Sequence, residues 1–296
     1  MAPPASFFGL ADTDDDAVRQ MTVVPRICSG IGAMFGGVGL GACLDSLETY
    51  TNRPVVWATG QFLSFAYPPA ELEVAIDEVV RGRRTSQARA VVRDTSAGGT
   101  EILTVNAALG TRPDAGGRVY EAMPEVPRPA ECPSRDELPY MRNTIAEHME
   151  IRLADARDFD ELPGPPGNGR SALWVRMKDE PHGIGTAKQM PAPLLAIVGD
   201  YVPFGISQAL GRRAGGNSLD NTIRVVDRHP SEWILADVQI HAIAGGFGHG
   251  LVHLWSEDGR LLATASQSTI VRNWEDAPTP TPANDAAPHT APTENK

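Results

Sequence analysis

Two halves of this sequence show the same succession of structural signals, offset by about 160 residues. In each half a strand-like segment and an apolar helix-like segment precede strand-like segments with alternating apolar residues. Residues 57–59 fall on residues 218–220, and residues 101–107 fall on residues 261–267. The repeat predicts two similar α+β units, each with one helix and an antiparallel sheet.

Two polar residues break the symmetry of this repeat. Asp220 is matched by Thr59 in the first half, and Gln267 is matched by Ala107. Alternation in a strand would place Gln267 on one face with small, uncharged neighbours, where a buried amide needs a hydrogen-bond partner. A single site in the second half, built from this carboxylate and this amide, would explain why the pair occurs only once in the chain.

The boundaries of the two units follow from composition and periodicity. We expect a flexible N-terminus over 1–20, a first unit over 21–110, a linker rich in proline and glycine over 111–147, a second unit carrying the site over 148–273, and a disordered tail over 274–296. The expected strands cover 21–28, 55–67, 72–81, 86–93, 101–109, 149–154, 173–177 and several segments of 218–272. Helices are expected after the glycines of 30–41 and over 194–210, the latter with a kink at Pro203.

The glycine-rich segment 30–41 fits two structures. Glycines before a helix can cradle phosphate groups, or they can let a sheet wrap closely around the helix. The segment lacks the Gly-Lys-Ser/Thr ending of a phosphate loop, and no acidic residue follows at the distance a dinucleotide fold needs. These absences favour the closely wrapped helix.

Charge and cysteine content exclude several functions. The formal net charge of −11 argues against non-specific nucleic-acid binding. Three widely spaced cysteines suggest neither a disulfide framework nor a zinc site, and the neighbouring histidines of the hairpin 241–253 lack acidic or thiolate partners at ligand spacing. No apolar run approaches the length of a membrane span, and the N-terminus does not resemble a secretory signal. We therefore expect a cytoplasmic protein with no metal.

The order of several short motifs resembles a known family. These are Phe35-Gly36-Gly37 at the first helix, and then residues 218–223 (SLDNTI), 231–235 (SEWIL), 258–263 (DGRLLA), Gln267 and Val271-Arg272. Over residues 21–272 the chain resembles the acyl-CoA thioesterase II family of double-hotdog hydrolases. The resemblance implies an α+β tandem hotdog fold, in which each unit has a long central helix wrapped by an antiparallel sheet. It also implies hydrolysis of acyl-CoA to a fatty acid and CoA without a cofactor, and self-association into dimers or larger assemblies.

The family's site combines an Asp, a Ser or Thr, and a Gln that together activate a water molecule. By resemblance, Asp220 is the general base and Gln267 the amide, while His241 takes the place of the hydroxyl residue. An imidazole there can still accept a proton from water.

The resemblance also suggests contacts for coenzyme A. Gly36 and Gly37 would lie against the ligand, and the basic cluster of Arg81, Arg83 and Arg84 could receive its phosphates. A solvated turn explains the same arginines.

Other functions remain open from the sequence. A histidine in the hydroxyl position could mark a protein that binds acyl-CoA or lipid without cleaving it. An enoyl-CoA hydratase on the same fold is less compatible, because its Asp and His lie about five residues apart in one loop and no such pair is present. Asp220 could also be a capping acid at a strand start, and Gln267 a solvent-facing residue.

Overall fold

The computed structural model describes residues 7–113, 116–135, 142–178 and 189–273. The strands are β1 Ala11–Asp12, β2 Val18–Thr22, β3 Val55–Phe62, β4 Glu71–Arg81, β5 Thr85–Asp94, β6 Thr100–Gly110, β7 Met149–Asp155, β8 Arg170–Met177, β9 Ala214–Ser218, β10 Asp220–Val225, β11 Ile234–Ala244, β12 Phe247–Ser256 and β13 Leu261–Asn273. The α-helices are α1 Gly36–Thr51, α2 Ala192–Val198 and α3 Val202–Leu210.

Within the described residues, all thirteen strands belong to one antiparallel sheet. Twelve of them follow the order β1-β2-β4-β5-β6-β3-β10-β13-β12-β11-β8-β7, and β9 pairs with β13 beside this path. The two halves of the chain meet where β3 pairs with β10, with Thr59 opposite Thr222 and their hydroxyl oxygens 2.7 Å apart. The sheet is therefore continuous across the two halves.

The helices pack against strands of their own halves. Helix α1 contacts β3, β4, β5 and β6, whereas α3 contacts β8, β9 and β11 to β13. Helix α1 also packs against α2, which belongs to the other half of the chain. Apolar side chains from all three helices and from the sheet face beneath them form the main core.

The apolar segment expected as one kinked helix is two helices. The break lies at Gly199, Asp200 and Tyr201, and Pro203 lies in the first turn of α3, where its missing N–H costs no helical hydrogen bond. The segment Ala192–Leu210 has the length and apolar composition to cross a membrane, but it is mostly buried inside the protein. Its apolar character is accounted for by the core.

The first described residues are not a free arm. Phe7 and Phe8 are buried, and β1 and β2 extend the sheet beyond β4. Part of the expected flexible segment 1–20 is thus ordered, because its aromatic side chains bury against the core. Residues 1–6 and the expected disordered tail 274–296 lie outside the described residues.

The expected linker over 111–147 packs on the sheet in its described parts. A second apolar cluster forms around Trp174 on β8, Trp255 on β12 and Trp233 in the loop before β11. Cys132 from the expected linker packs with them. The indole N–H of Trp174 donates to the carbonyl oxygen of Pro127 at 2.9 Å. The described parts of this segment therefore cover aromatic surface that would otherwise be exposed to water.

A glycine at the start of α1 lets that helix approach α2. A Cβ added at Gly37 would lie 2.8 Å from the Cα of Ile197 and 2.9 Å from the carbonyl oxygen of Ala196. Both atoms belong to the backbone and cannot move aside as a flexible side chain could.

We expect Gly37→Ala to lower the free energy of unfolding, measured in urea, by roughly 1–3 kcal/mol, the usual cost of overpacking. Gly117→Ala, which adds a methyl group in open space, is the matched control, and equal stability of the two variants would contradict this packing.

Candidate functional site

Asp200 is a buried carboxylate in the break between α2 and α3. Its side chain reaches the start of α1, where one carboxylate oxygen accepts the backbone N–H of Gly37 at 2.6 Å. The other oxygen accepts a hydrogen bond from the side-chain amide of Gln267 on β13. One acidic side chain thus connects the helix of the first half with the sheet of the second.

Two consecutive glycines make this contact sterically feasible. A Cβ on Gly36 would lie 2.8 Å from the Asp200 carboxylate and 3.1 Å from the ring of Phe62, and a Cβ on Gly37 would lie 3.0 Å from the Asp200 Cβ. Gly36 and Gly37, expected to contact coenzyme A, therefore make room for Asp200 and, at Gly37, for the backbone of α2. The glycine-rich segment allows close packing, as the sequence indicated.

Gln267 lies at the centre of the hydrogen-bond network. Its amide nitrogen donates to Asp200 and, at 3.1 Å, to the hydroxyl oxygen of Ser218, the last residue of β9. Its amide oxygen accepts the backbone N–H of Val202, the first residue of α3, at 3.2 Å. The structure thus brings together an Asp, a Ser and a Gln.

Burial raises the pKa of Asp200 from its ordinary value of 3.8 to about 7. Hydrogen bonds from Gln267 and Gly37, and the nearby amide of Asn221, act in the opposite direction by favouring the charged form. A carboxylate that titrates near neutral pH can accept a proton at that pH and release it again, as a general base must.

Asp220 does not join Gln267. Thr222, which lies two residues after Asp220 on β10 and on the same face, is opposite Ser266 on β13. Gln267 is the residue after Ser266. Because successive side chains point to opposite faces, Asp220 and Gln267 lie on opposite faces of the sheet. The Asp220 carboxylate instead accepts the backbone N–H of Ser268 at 2.8 Å. The two side chains therefore do not meet around one water molecule, contrary to the expectation from the sequence.

His241 is also away from Gln267. It is exposed at the point where the pairing of β11 with β12 shifts register, between Ile240 and Ala242. The whole of β12 lies between β11 and β13, which separates the two backbones by roughly 10 Å. The hydroxyl beside Gln267 comes from Ser218, so the structure gives no support for a histidine in that position.

The basic cluster of the first half lies far from Asp200. Arg83 and Arg84 are in the turn between β4 and β5, and Arg81 pairs with Glu78 at 2.8 Å. Arg53, just after the C-terminal end of α1, donates to the carbonyl oxygen of Gly82 in the same turn. Asp200 contacts the opposite end of this helix, which is roughly 24 Å long. The expected phosphate contacts therefore do not face Asp200 within one chain.

Sequence reasoning missed Asp200 and Ser218. The signal for Asp200 was a charged residue inside an otherwise apolar segment, since acids are seldom buried without a function or a partner. Ser218 gave no comparable signal, because strands contain many hydroxyl residues. Among the described residues, no three His, Cys, Asp or Glu side chains lie together so as to hold a metal ion.

Comparisons with known proteins give a family match and several similar solved structures. A family model described as the acyl-CoA thioesterase C-terminal domain matches residues 123–271. A protein of Novosphingobium aromaticivorans that is assigned as a thioesterase is 32% identical, with a TM-score of 0.75 over 90% of this chain and 99% of its own. A search of curated proteins gave no match.

Two further solved structures show the fold. The acyl-CoA thioesterase II TesB2 of Mycobacterium marinum is 20% identical, with a TM-score of 0.69 over 89% of this chain and 96% of its own. A protein of Alicyclobacillus acidocaldarius described as having a hot dog fold is also 20% identical, with a TM-score of 0.73 over 93% of this chain and 98% of its own. The chain therefore has hotdog architecture.

The raised pKa of Asp200 makes stability depend on pH. Between pH 3.8 and about 7 the unfolded chain releases a proton that the folded protein retains, so stability falls as the pH rises. The loss is absent below this window and complete above it. From pH 5 to pH 8 the protein should lose about 3 kcal/mol relative to the Asp200→Asn variant, measured by urea unfolding of both. The same pH dependence in both proteins would contradict the burial of an ionisable acid.

Proposed function

This chain belongs to the acyl-CoA thioesterase family, and we propose that it hydrolyses the thioester bond of an acyl-CoA at Asp200, Gln267 and Ser218. The observation that carries the proposal is the buried carboxylate of Asp200, bonded to an amide that also reaches a hydroxyl. These are the three residue types that the resemblance implies. No observation favours a carrier without activity or a hydratase.

Asp200 acts as the general base in this proposal. Its carboxylate removes a proton from a water molecule while the water oxygen attacks the thioester carbonyl carbon. Collapse of the tetrahedral intermediate breaks the bond between carbon and sulfur, and the proton held by Asp200 passes to the departing thiolate. The products are a carboxylic acid and free CoA, and the base is regenerated. Gln267 holds the carboxylate in place, since its amide nitrogen donates to it.

The start of α1 supplies a donor for the developing oxyanion. The backbone N–H of Gly36, the first helical residue, has no hydrogen-bond partner among the described residues, whereas that of Gly37 is bonded to Asp200. Gly36 is partly exposed, and it lies beside the carboxylate. The positive end of the helix dipole adds to the attraction for negative charge on the thioester oxygen.

The same proposal includes a tandem arrangement of two hotdog units. Helix α1 with β1 to β6 would be one unit, and α3 with β7 to β13 the other, joined where β3 pairs with β10. The site then needs both units, because Gly36 and Gly37 come from the first, and Asp200, Ser218 and Gln267 from the second. Fatty acyl-CoA as substrate, self-association and a cytoplasmic location remain part of the proposal.

Replacing the base should remove turnover. We expect Asp200→Asn to lower kcat by about 100-fold or more, because the water loses its proton acceptor. Release of free thiol from a panel of acyl-CoAs measures the loss. Asp220→Asn, a matched change on the opposite face of the sheet, should retain activity. Full turnover by Asp200→Asn with loss in Asp220→Asn would return the role to Asp220, and saturable binding of acyl-CoA by the unmodified protein without thiol release would indicate a carrier.

The arginine cluster should not control substrate affinity. In the double variant Arg83→Ala and Arg84→Ala, we expect KM for acyl-CoA to stay unchanged, because the turn lies at the far end of α1 from Asp200. Steady-state kinetics at low ionic strength would reveal any electrostatic contact, since charge interactions are strongest there. A large increase in KM with unchanged kcat would place the CoA phosphates on this turn.

A further inference from the structure

Asn221 on β10 is a wholly buried amide without ordinary partners. None of its surface is exposed, and neither its amide nitrogen nor its amide oxygen has a hydrogen-bond partner among the described residues. Leaving a buried polar group unpaired usually costs about 1–3 kcal/mol. Such a residue needs an explanation other than stability.

The register of the sheet places Asn221 beside the proposed site. Thr222 lies opposite Ser266, so one step further along the two strands Asn221 comes opposite Gln267, on the same face of the sheet. Side chains in such positions have Cβ atoms roughly 5 Å apart. The Asn221 amide also faces the carboxylate of Asp200 and lowers its pKa, although it makes no hydrogen bond of ordinary geometry with it.

Gln267 and Asp200, the neighbours of Asn221, are already engaged in hydrogen bonds with other groups. Both hydrogens on the amide nitrogen of Gln267 are donated, to Asp200 and to Ser218, and its amide oxygen accepts from Val202. Each carboxylate oxygen of Asp200 already accepts one hydrogen bond. Unlike the Gln267 amide and the Asp200 carboxylate, the Asn221 amide has both a donor and an acceptor uncommitted. An incoming polar molecule could therefore hydrogen-bond to the amide nitrogen or the amide oxygen of Asn221.

We propose that Asn221 is a positioning residue that orients the hydrolytic water against Asp200. One O–H of the water donates a hydrogen bond to the carboxylate of Asp200, and the amide oxygen of Asn221 accepts a hydrogen bond from the other O–H. A lone pair of the water oxygen then points toward the thioester carbon. The inference rests on the proposed hydrolysis at Asp200. It adds a fourth side chain to the three that the resemblance implies.

The test compares Asn221→Leu with the unmodified protein across pH. Leucine has nearly the same size without polar atoms, so the fold should be as stable or more stable. We expect kcat to fall about 100-fold with KM unchanged, as for a misplaced reacting group. The loss should persist at high pH, where Asp200 is fully ionised. Thr222→Val, which alters the neighbouring residue on the opposite face, is the control and should retain kcat.

Three outcomes would overturn the role of Asn221. The first is full kcat in Asn221→Leu at all pH values, and the second is a raised KM as the only change. The third is recovery of full kcat at high pH, which would mean that Asn221 only adjusts the pKa of Asp200. If the leucine variant does not fold, Asn221→Ser replaces it, with the same fall in kcat expected because its shorter hydroxyl does not reach the water.

A double variant separates this proposal from the hydrolytic one. Once Asp200→Asn has removed the base, adding Asn221→Leu should cost little more, because both residues act on the same water. Additive losses would contradict a shared water. Unchanged turnover in Asp200→Asn alone would instead refute the assignment of the base and leave Asn221 without a role.

Discussion

The hydrogen bond between the Asp200 carboxylate and the Gly37 backbone is the contact on which the proposed site depends. It requires a break between α2 and α3 to present the acid, and two glycines to let α1 approach it. Burial in this contact destabilises the charged carboxylate, while the hydrogen-bond donors around it partly stabilise that form again. The balance of these effects keeps the pKa of Asp200 near 7, well above that of a solvated carboxylate.

Helix α1 is tied to the second half at both ends. At its start the tie is Asp200, and near its other end Glu48 pairs with Arg228 from the segment after β10. Glu48 also accepts the backbone N–H of Val55 at 2.6 Å, and Arg228 donates to the carbonyl oxygen of Val55 at 3.2 Å. These contacts lie mostly away from solvent, so they are screened less than surface ion pairs. They fix the position of α1, and with it the distance from Gly36 to Asp200.

The strands and the first helix could be predicted from the sequence because their signals are local. Alternation placed β4, β5 and β6 within a residue or two, and it correctly put Gln267 on a face with Ala265 and Thr269, which are both buried. The apolar segment before β9 was harder to interpret. Its composition suits one helix, and the break at Asp200 is set by packing against α1, which no local pattern reveals.

The choice of Asp220 failed for a geometric reason. Ser218 lies opposite Thr269, which shares the face of Gln267, whereas Asp220 lies on the other face although it is only two residues away. The alternation slips by one residue at Leu219, between β9 and β10. A slip of one residue exchanges the two faces of a strand, and nothing in the sequence marks it. The covering of the three tryptophans by the connecting segment was hidden for a related reason, since it depends on contacts between distant parts of the chain.

The pH dependence of kcat/KM for acyl-CoA hydrolysis tests the central claim most directly, because it reports the pKa of the base in the free enzyme. If Asp200 is the base, kcat/KM should rise about tenfold per pH unit below pH 7 and level off above it. A profile that is already flat at pH 5 would indicate a base with the ordinary acidity of an exposed carboxylate, and it would contradict the account.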